Sequence, residues 1–259
     1  MATTGEGILA SSPAALNLPD VPLVEFERNF IKAAVCELRF PTLLEFETKP
    51  PVQLQRELRR DYPHYEPTQA VSVGPGAVGH EMRYLFRSRK KDWTVSFRAS
   101  AIALETANYT NFEEFSARLD SLLMKSQGLL DTDFFTRVGL RYVDEIPVED
   151  GDLSGWIGDA LVAPLTQGVY GTVEHFLQEV RGFTDIGRYT FKHGIMDSTR
   201  TEPQVYYLDF DFYEENVQFE SVRDLVTQFN HQSFRFFRWV IGPKALDRLG
   251  KATPKAGRQ

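Results

Sequence analysis

Asp209 and Asp211 flank Phe210 in the run LDFDFY. Side chains two apart on a strand share a face, so the two carboxylates point the same way. Such a pair can move protons or hold a divalent cation. Glu37 and Arg39 stand in the same relation in VCELRF, and Arg137 and Arg141 share a face of RVGLRYV. If these faces are one side of one sheet, the chain carries a charged floor. Its candidate ligand-binding residues are then Arg39, Arg141, Asp209 and Asp211. Alternation alone yields the same floor as the solvent face of an amphipathic sheet, and that reading is favoured.

The five histidines, His64, His80, His175, His193 and His231, are nowhere two or four residues apart. That spacing is what lets one strand or helix aim two rings at one metal, so no metal is assigned. His231 joins the candidate ligand-binding residues from the last long helix, beside Asn230 and Gln232. Gly74-Pro75-Gly76-Ala77-Val78-Gly79 matches the dinucleotide fingerprint in form. That motif works only between a strand and a helix, and the strand-like MRYLF follows it. It reads as a loop or a short strand, and no cofactor is expected. Cys36 is the only cysteine and sits mid-strand, which suits a small core residue and excludes an internal disulfide.

Strands and helices must hold these groups in place. Arg137–Val143 alternates with period two, as a half-buried strand requires. Gly139 within it marks a bulge or a close backbone approach. A Pro-Pro pair opens a helix over Val52–Arg60. Met82–Ser88 and Trp93–Glu105 form a hairpin, and Asn108–Lys125 is the first long helix. Val173–Arg181, Arg188–Met196 and Gln204–Tyr213 read as strands around a second long helix, Gln218–Trp239. The two long helices repeat one face: Phe112, Phe115, Leu119 and Leu122, then Phe219, Val222, Val226 and Phe229. Leu38-Arg39-Phe40 likewise parallels Leu140-Arg141-Tyr142.

The fold expected is therefore α+β. Two related β-α-β-β-α halves, residues 23–132 and 133–249, share a mainly antiparallel sheet with long helices packed on one face. Residues 1–22 read as a flexible arm and 250–259 as a flexible tail.

Composition bounds the partners. A formal charge of −7 argues against nucleic acid, despite the basic run Arg87-Ser88-Arg89-Lys90-Lys91 at an expected turn. No apolar run approaches the roughly 20 residues of a membrane span. The first 20 residues lack the pattern of a secretory signal, which gives a cytoplasmic location by default.

VCELRF, the Pro-Pro helix, NYTNFEEF, VGLRYVDEI and LDFDFY before a helix bearing Asn230-His231 resemble, over residues 24–242, a known family. It is a sporadically distributed bacterial family of conserved proteins of about this length without an assigned function. The resemblance implies a shared fold and a histidine late in the last helix, here His231. It transfers no catalytic residue. Its patchy distribution implies an association with defence or toxin–antitoxin loci, which is not a mechanism.

The last helix supplies the function expected from the residues. Beyond its docking stripe it carries Phe234, Phe236, Phe237 and Trp239. Neighbours on a helix lie about 100° apart, so one stripe cannot bury all four. Either the helix end is sandwiched in the chain's own core or a second chain covers part of it. The second option is favoured: a protein partner or a homodimer. The alternative is a small-ligand or hydrolytic site on the carboxylate–arginine face.

Overall fold

The computed structural model describes residues 15–74, 77–149, 151–196 and 204–254. In the first half β1 (Val24–Phe26) and β2 (Ile31–Arg39) lead into α1 (Val52–Leu58). Next come β3 (His64–Gly74), β4 (Ala77–Arg87), β5 (Trp93–Arg98), β6 (Ala101–Thr106) and α2 (Phe112–Leu130). In the second half β7 (Phe134–Val148) precedes α3 (Asp159–Thr166), β8 (Phe176–Thr184), β9 (Gly187–Ile195) and β10 (Gln204–Gln218). The chain then forms α4 (Val222–Val240), α5 (Pro243–Leu249) and β11 (Ala252–Pro254).

Nine strands form one antiparallel sheet in the order β3-β4-β5-β6-β2-β7-β10-β9-β8. The fold is α+β, as expected. The long helices lie on one face. Phe115 of α2 meets Trp93 of β5, and Phe236 of α4 meets Phe210 and Phe191 of β10 and β9. The register carries that face across the sheet, because Val95 pairs with Leu104, Leu104 with Cys36, Cys36 with Leu140 and Leu140 with Phe212. All five side chains are buried. Burial pushes the Cys36 thiol up to about 12, so it stays protonated as a core group.

Each half holds more strands than the expected β-α-β-β-α. Residues 64–74 and 77–87 pair as a hairpin, where a loop or short strand was expected around the glycine motif. Pro75 and Gly76 of that motif lie outside the described residues. Trp93–Glu105, expected as one strand, is two. Trp93, Val95 and Phe97 face the core, and then Ile102, Leu104 and Thr106 do. The buried positions change from odd to even, which a continuous strand cannot do. The chain therefore turns between Arg98 and Ala101.

The expected arm and tail are partly tied down. Leu16 N–H donates to the Phe183 carbonyl at 2.9 Å, and Arg235 donates to the carbonyls of Leu18 and Pro19 at 2.7 and 3.1 Å. β11 pairs with β1. The extended backbone at both ends finds donors and acceptors on the body. Among the described residues no helix is long and apolar enough to cross a membrane.

Candidate functional site

The charged strand residues do share one face of the sheet, the face opposite to α2 and α4. Arg141 grips Asp209 with two bonds, Nε to Oδ1 at 2.7 Å and Nη2 to Oδ2 at 2.8 Å. Arg137 Nη2 donates to Asp211 at 2.8 Å, and Nη1 lies 3.7 Å from Glu37. Glu37 also takes Arg39 at 2.6 Å and Arg98 at 3.4 Å, and Arg98 reaches Glu81 at 3.3 Å. The ion pairs thus run from β4 through β5, β2 and β7 to β10.

Gly139 makes this possible. It pairs with Glu37 on one side and Tyr213 on the other. A Cβ there would stand 2.7 Å from Arg137 Nη1. The guanidinium lies in the space that a side chain would fill, with its Cζ 4.4 Å from the Tyr213 ring centre. Neither the expected bulge nor the expected close backbone approach occurs: what approaches Gly139 is a side chain. Burial works to raise Glu37, but its arginines outweigh it and hold the carboxyl below its usual range. Asp211 goes the other way, since burial outweighs Arg137. Each of these carboxylates is already held by an arginine, so the floor presents saturated pairs to solvent.

A cavity of about 270 Å³ lies on the other side, between the sheet and its helices. Its floor is Tyr142 and Asp144 of β7 with Phe210 of β10. Asn230, Ser233, Phe234 and Phe237 of α4 form one wall. β1, the turn to β2 and the start of α2 form the other. Exposed Glu25, Arg28, Glu113 and His231 stand at the rim.

Local chemistry fixes these walls. Asn29 accepts from Ile31 N–H at 3.0 Å and donates Nδ2 to the Tyr109 carbonyl at 3.0 Å, pinning the β1–β2 turn to the loop before α2. Asn111 caps α2 by accepting from Glu114 N–H at 2.8 Å, which sets Phe112 in the wall. Tyr142 Oη donates to Asn230 Oδ1 at 2.9 Å, and its ring meets Tyr109 edge to face at 5.5 Å. Burial drives both phenols well above their ordinary range.

Asp144 is the unusual member. It is 3% exposed, and among the described residues no cation or hydrogen-bond donor is paired with its carboxylate. Burial, and then the Asp209 carboxylate across the strand, push it up to about 7. Ser233 Oγ, also facing the cavity, is buried without a hydrogen-bond partner. Together these give an aromatic-walled chamber with a lone acid on its floor.

The sequence candidates divide between the two faces. Arg39, Arg141, Asp209 and Asp211 lie on the charged floor, away from the cavity. His231, Phe234 and Phe237 line the cavity. Phe236 is buried in the core against Phe191 and Phe210, and Trp239 remains 43% exposed. Asp144, Tyr142 and Asn230 were not among the candidates. Asp144 had a signal: it falls in the apolar register of Val138, Leu140, Tyr142 and Ile146. Among the described residues no cluster of three potential ligands could hold a metal ion. No family model matches the chain, and no curated protein matches it either.

Proposed function

We propose that this chain binds a small organic cation, taken into the cavity with its ammonium against Asp144. The observation that carries this reading is a carboxylate 3% exposed that lines a chamber and has no cation of its own among the described residues. A buried charge without a partner is costly, and a ligand cation removes that cost. Aromatic walls favour the same class, because ring faces attract ammonium groups. The charged groups around Asp144 are mixed with an acidic balance: Glu25 and Glu113 stand against Arg28, with Tyr109, Tyr142 and His231 beside them. The volume lies near the small end of ligand pockets, which run from roughly 300 to 1,000 Å³. The surplus aromatics of α4 support a ligand over a partner chain, since Phe234 and Phe237 line the cavity and Phe236 is core.

Calorimetry with phenethylamine and tryptamine tests this, against 2-phenylethanol and 3-phenylpropionate as neutral and anionic counterparts. The amines bind and their counterparts do not; Asp144→Asn abolishes amine binding. Affinity rises with pH through about 7 as the carboxylate ionises while the amine stays charged. Equal binding of the alcohol, or undiminished binding by Asp144→Asn, would overturn it.

The two halves also read as related. β2 and β7 are central neighbours; β6 and β10 flank them and each runs directly into a long helix. Leu38 and Leu140 face the core, and Arg39 and Arg141 the open face. Superposing β2, β6 and α2 on β7, β10 and α4 should bring those triplets together. A best fit in another register would count against kinship.

A further inference from the structure

Among the described residues β8 ends the sheet with one edge unpaired by any other strand. The Phe183 carbonyl accepts from Leu16, so the backbone groups of Phe183 point away from β9. Backbone groups alternate in direction along a strand, so those of Arg181, Glu179 and Leu177 point outward as well. The opposite edge, β3, carries Pro67, whose nitrogen has no hydrogen to offer a neighbour. β8 has no proline. Three of its apolar side chains are exposed: Leu177 at 42%, Val180 at 46% and Phe183 at 44%.

The order of its side chains is self-complementary. On the charged-floor side they run Leu177, Glu179, Arg181, Phe183. Glu179 already takes Arg181 of its own strand at 2.6 Å and Lys192 at 3.0 Å; an antiparallel pairing of two copies about Val180 sets Glu179 opposite Arg181 twice, joining these into one network, and Leu177 opposite Phe183 twice. The outward backbone groups of Glu179 and Arg181 then meet as hydrogen-bonded pairs. Other registers fail on chemistry. Centring on Glu179 or Arg181 sets like charges face to face; centring on Gln178 or Gly182 sets a charge against an apolar side chain. Opposite charges across a ladder are favourable and like charges are not. We propose that β8 is the seam of a two-fold homodimer, paired antiparallel with β8 of a second copy about Val180. The arm already holds the Phe183 carbonyl. The ladder therefore extends from the Glu179–Arg181 pairs to Leu177–Phe183 only where Leu16 yields.

Sedimentation equilibrium of the full chain at 1 to 200 μM tests this, with a monomer mass of 29.6 kDa as reference. The mass should approach twice that value. Glu179→Arg and Arg181→Glu each place like charges across the seam and should give monomers. The double swap restores both pairs and should restore the dimer. Circular dichroism and thermal melting confirm that the variants are folded. A parent monomeric throughout, single variants that still dimerise, or a folded double variant that stays monomeric would each overturn the proposal.

Discussion

Tyr142 donates its phenol hydroxyl to Asn230 Oδ1 at 2.9 Å, from the central strand β7 to the last long helix α4. This bond adds to the aromatic packing that joins the two layers, and it lies at the cavity floor. Asp144 follows two residues later on the same face. The strand that places the acid and the helix that walls the cavity are thus joined by a hydrogen bond at the cavity itself.

Tyr142→Phe keeps the ring and removes the donor. Loss of one such bond costs about 1 kcal/mol. A chain of this size should then melt roughly 2 to 4 °C lower. Phenethylamine affinity should fall as well, because the wall that faces Asp144 loses its anchor. Calorimetric melts and titrations check both; an unchanged melting point would show that the bond adds nothing to stability.

Much of this was legible locally. The alternation in Arg137–Val143 gave β7, and the apolar spacing in Phe112–Leu122 and Val222–Phe229 gave α2 and α4. Arg137 and Asp211 could not be matched from sequence, because they are 74 residues apart and meet only through strand order. Asp144 was readable as a misfit in an apolar register, but the cavity was not. Its walls come from β1, α2, β7, β10 and α4, and no local pattern reports that they leave a gap. The helix-end aromatics showed the same limit: their number was visible, but what covers them was not.

Gly139→Ala tests the space beneath Arg137. The added methyl would stand 2.7 Å from Arg137 Nη1 and displace a guanidinium held by Asp211. The guanidinium is the far end of a flexible side chain in a part-buried pair, so stability should fall by about 1 kcal/mol or less. In an Arg137→Ala background the same change should be neutral or stabilising, because alanine suits a strand better than glycine. Urea unfolding of the four-member cycle measures the coupling. A zero coupling energy would separate the glycine from the arginine.

Two buried groups set opposing pH slopes. Asp144 rises from an ordinary 3.8 to about 7, so its contribution to stability is full below pH 3.8 and is lost as pH climbs to 7. His193, stacked on Phe191 and bonded to the Tyr206 hydroxyl, is lowered by burial from 6.5 to about 4. Its contribution is full above pH 6.5 and is lost as pH falls to 4. In the parent the two slopes oppose each other. Asp144→Asn removes only the first, so the variant's stability should climb between pH 4 and 6.5. Its gain over the parent should be largest near pH 7 to 8. Urea midpoints across pH 4 to 8 check this; parallel profiles would mean that Asp144 does not titrate in that window.

Cutting the chain after Gly250 tests whether the β1–β11 ribbon builds the cavity or only decorates it. The cut removes the partners of Val24, Glu25 and Phe26, which pair with Pro254, Thr253 and Ala252. All three line the cavity. Phe26 also stacks on Phe234 at 6.3 Å and lies beneath Arg238. A two-stranded ribbon is marginal by itself, so the main sheet should persist and the melting point should drop only a few degrees. The wall should loosen and amine affinity should fall about tenfold, which corresponds to about 1.4 kcal/mol. Removing residues 255–259 alone spares β11 and should change neither quantity. If the shorter chain binds phenethylamine as tightly as the parent, the ribbon is not part of the site, and the ligand rests on Asp144, Tyr142 and α4 alone.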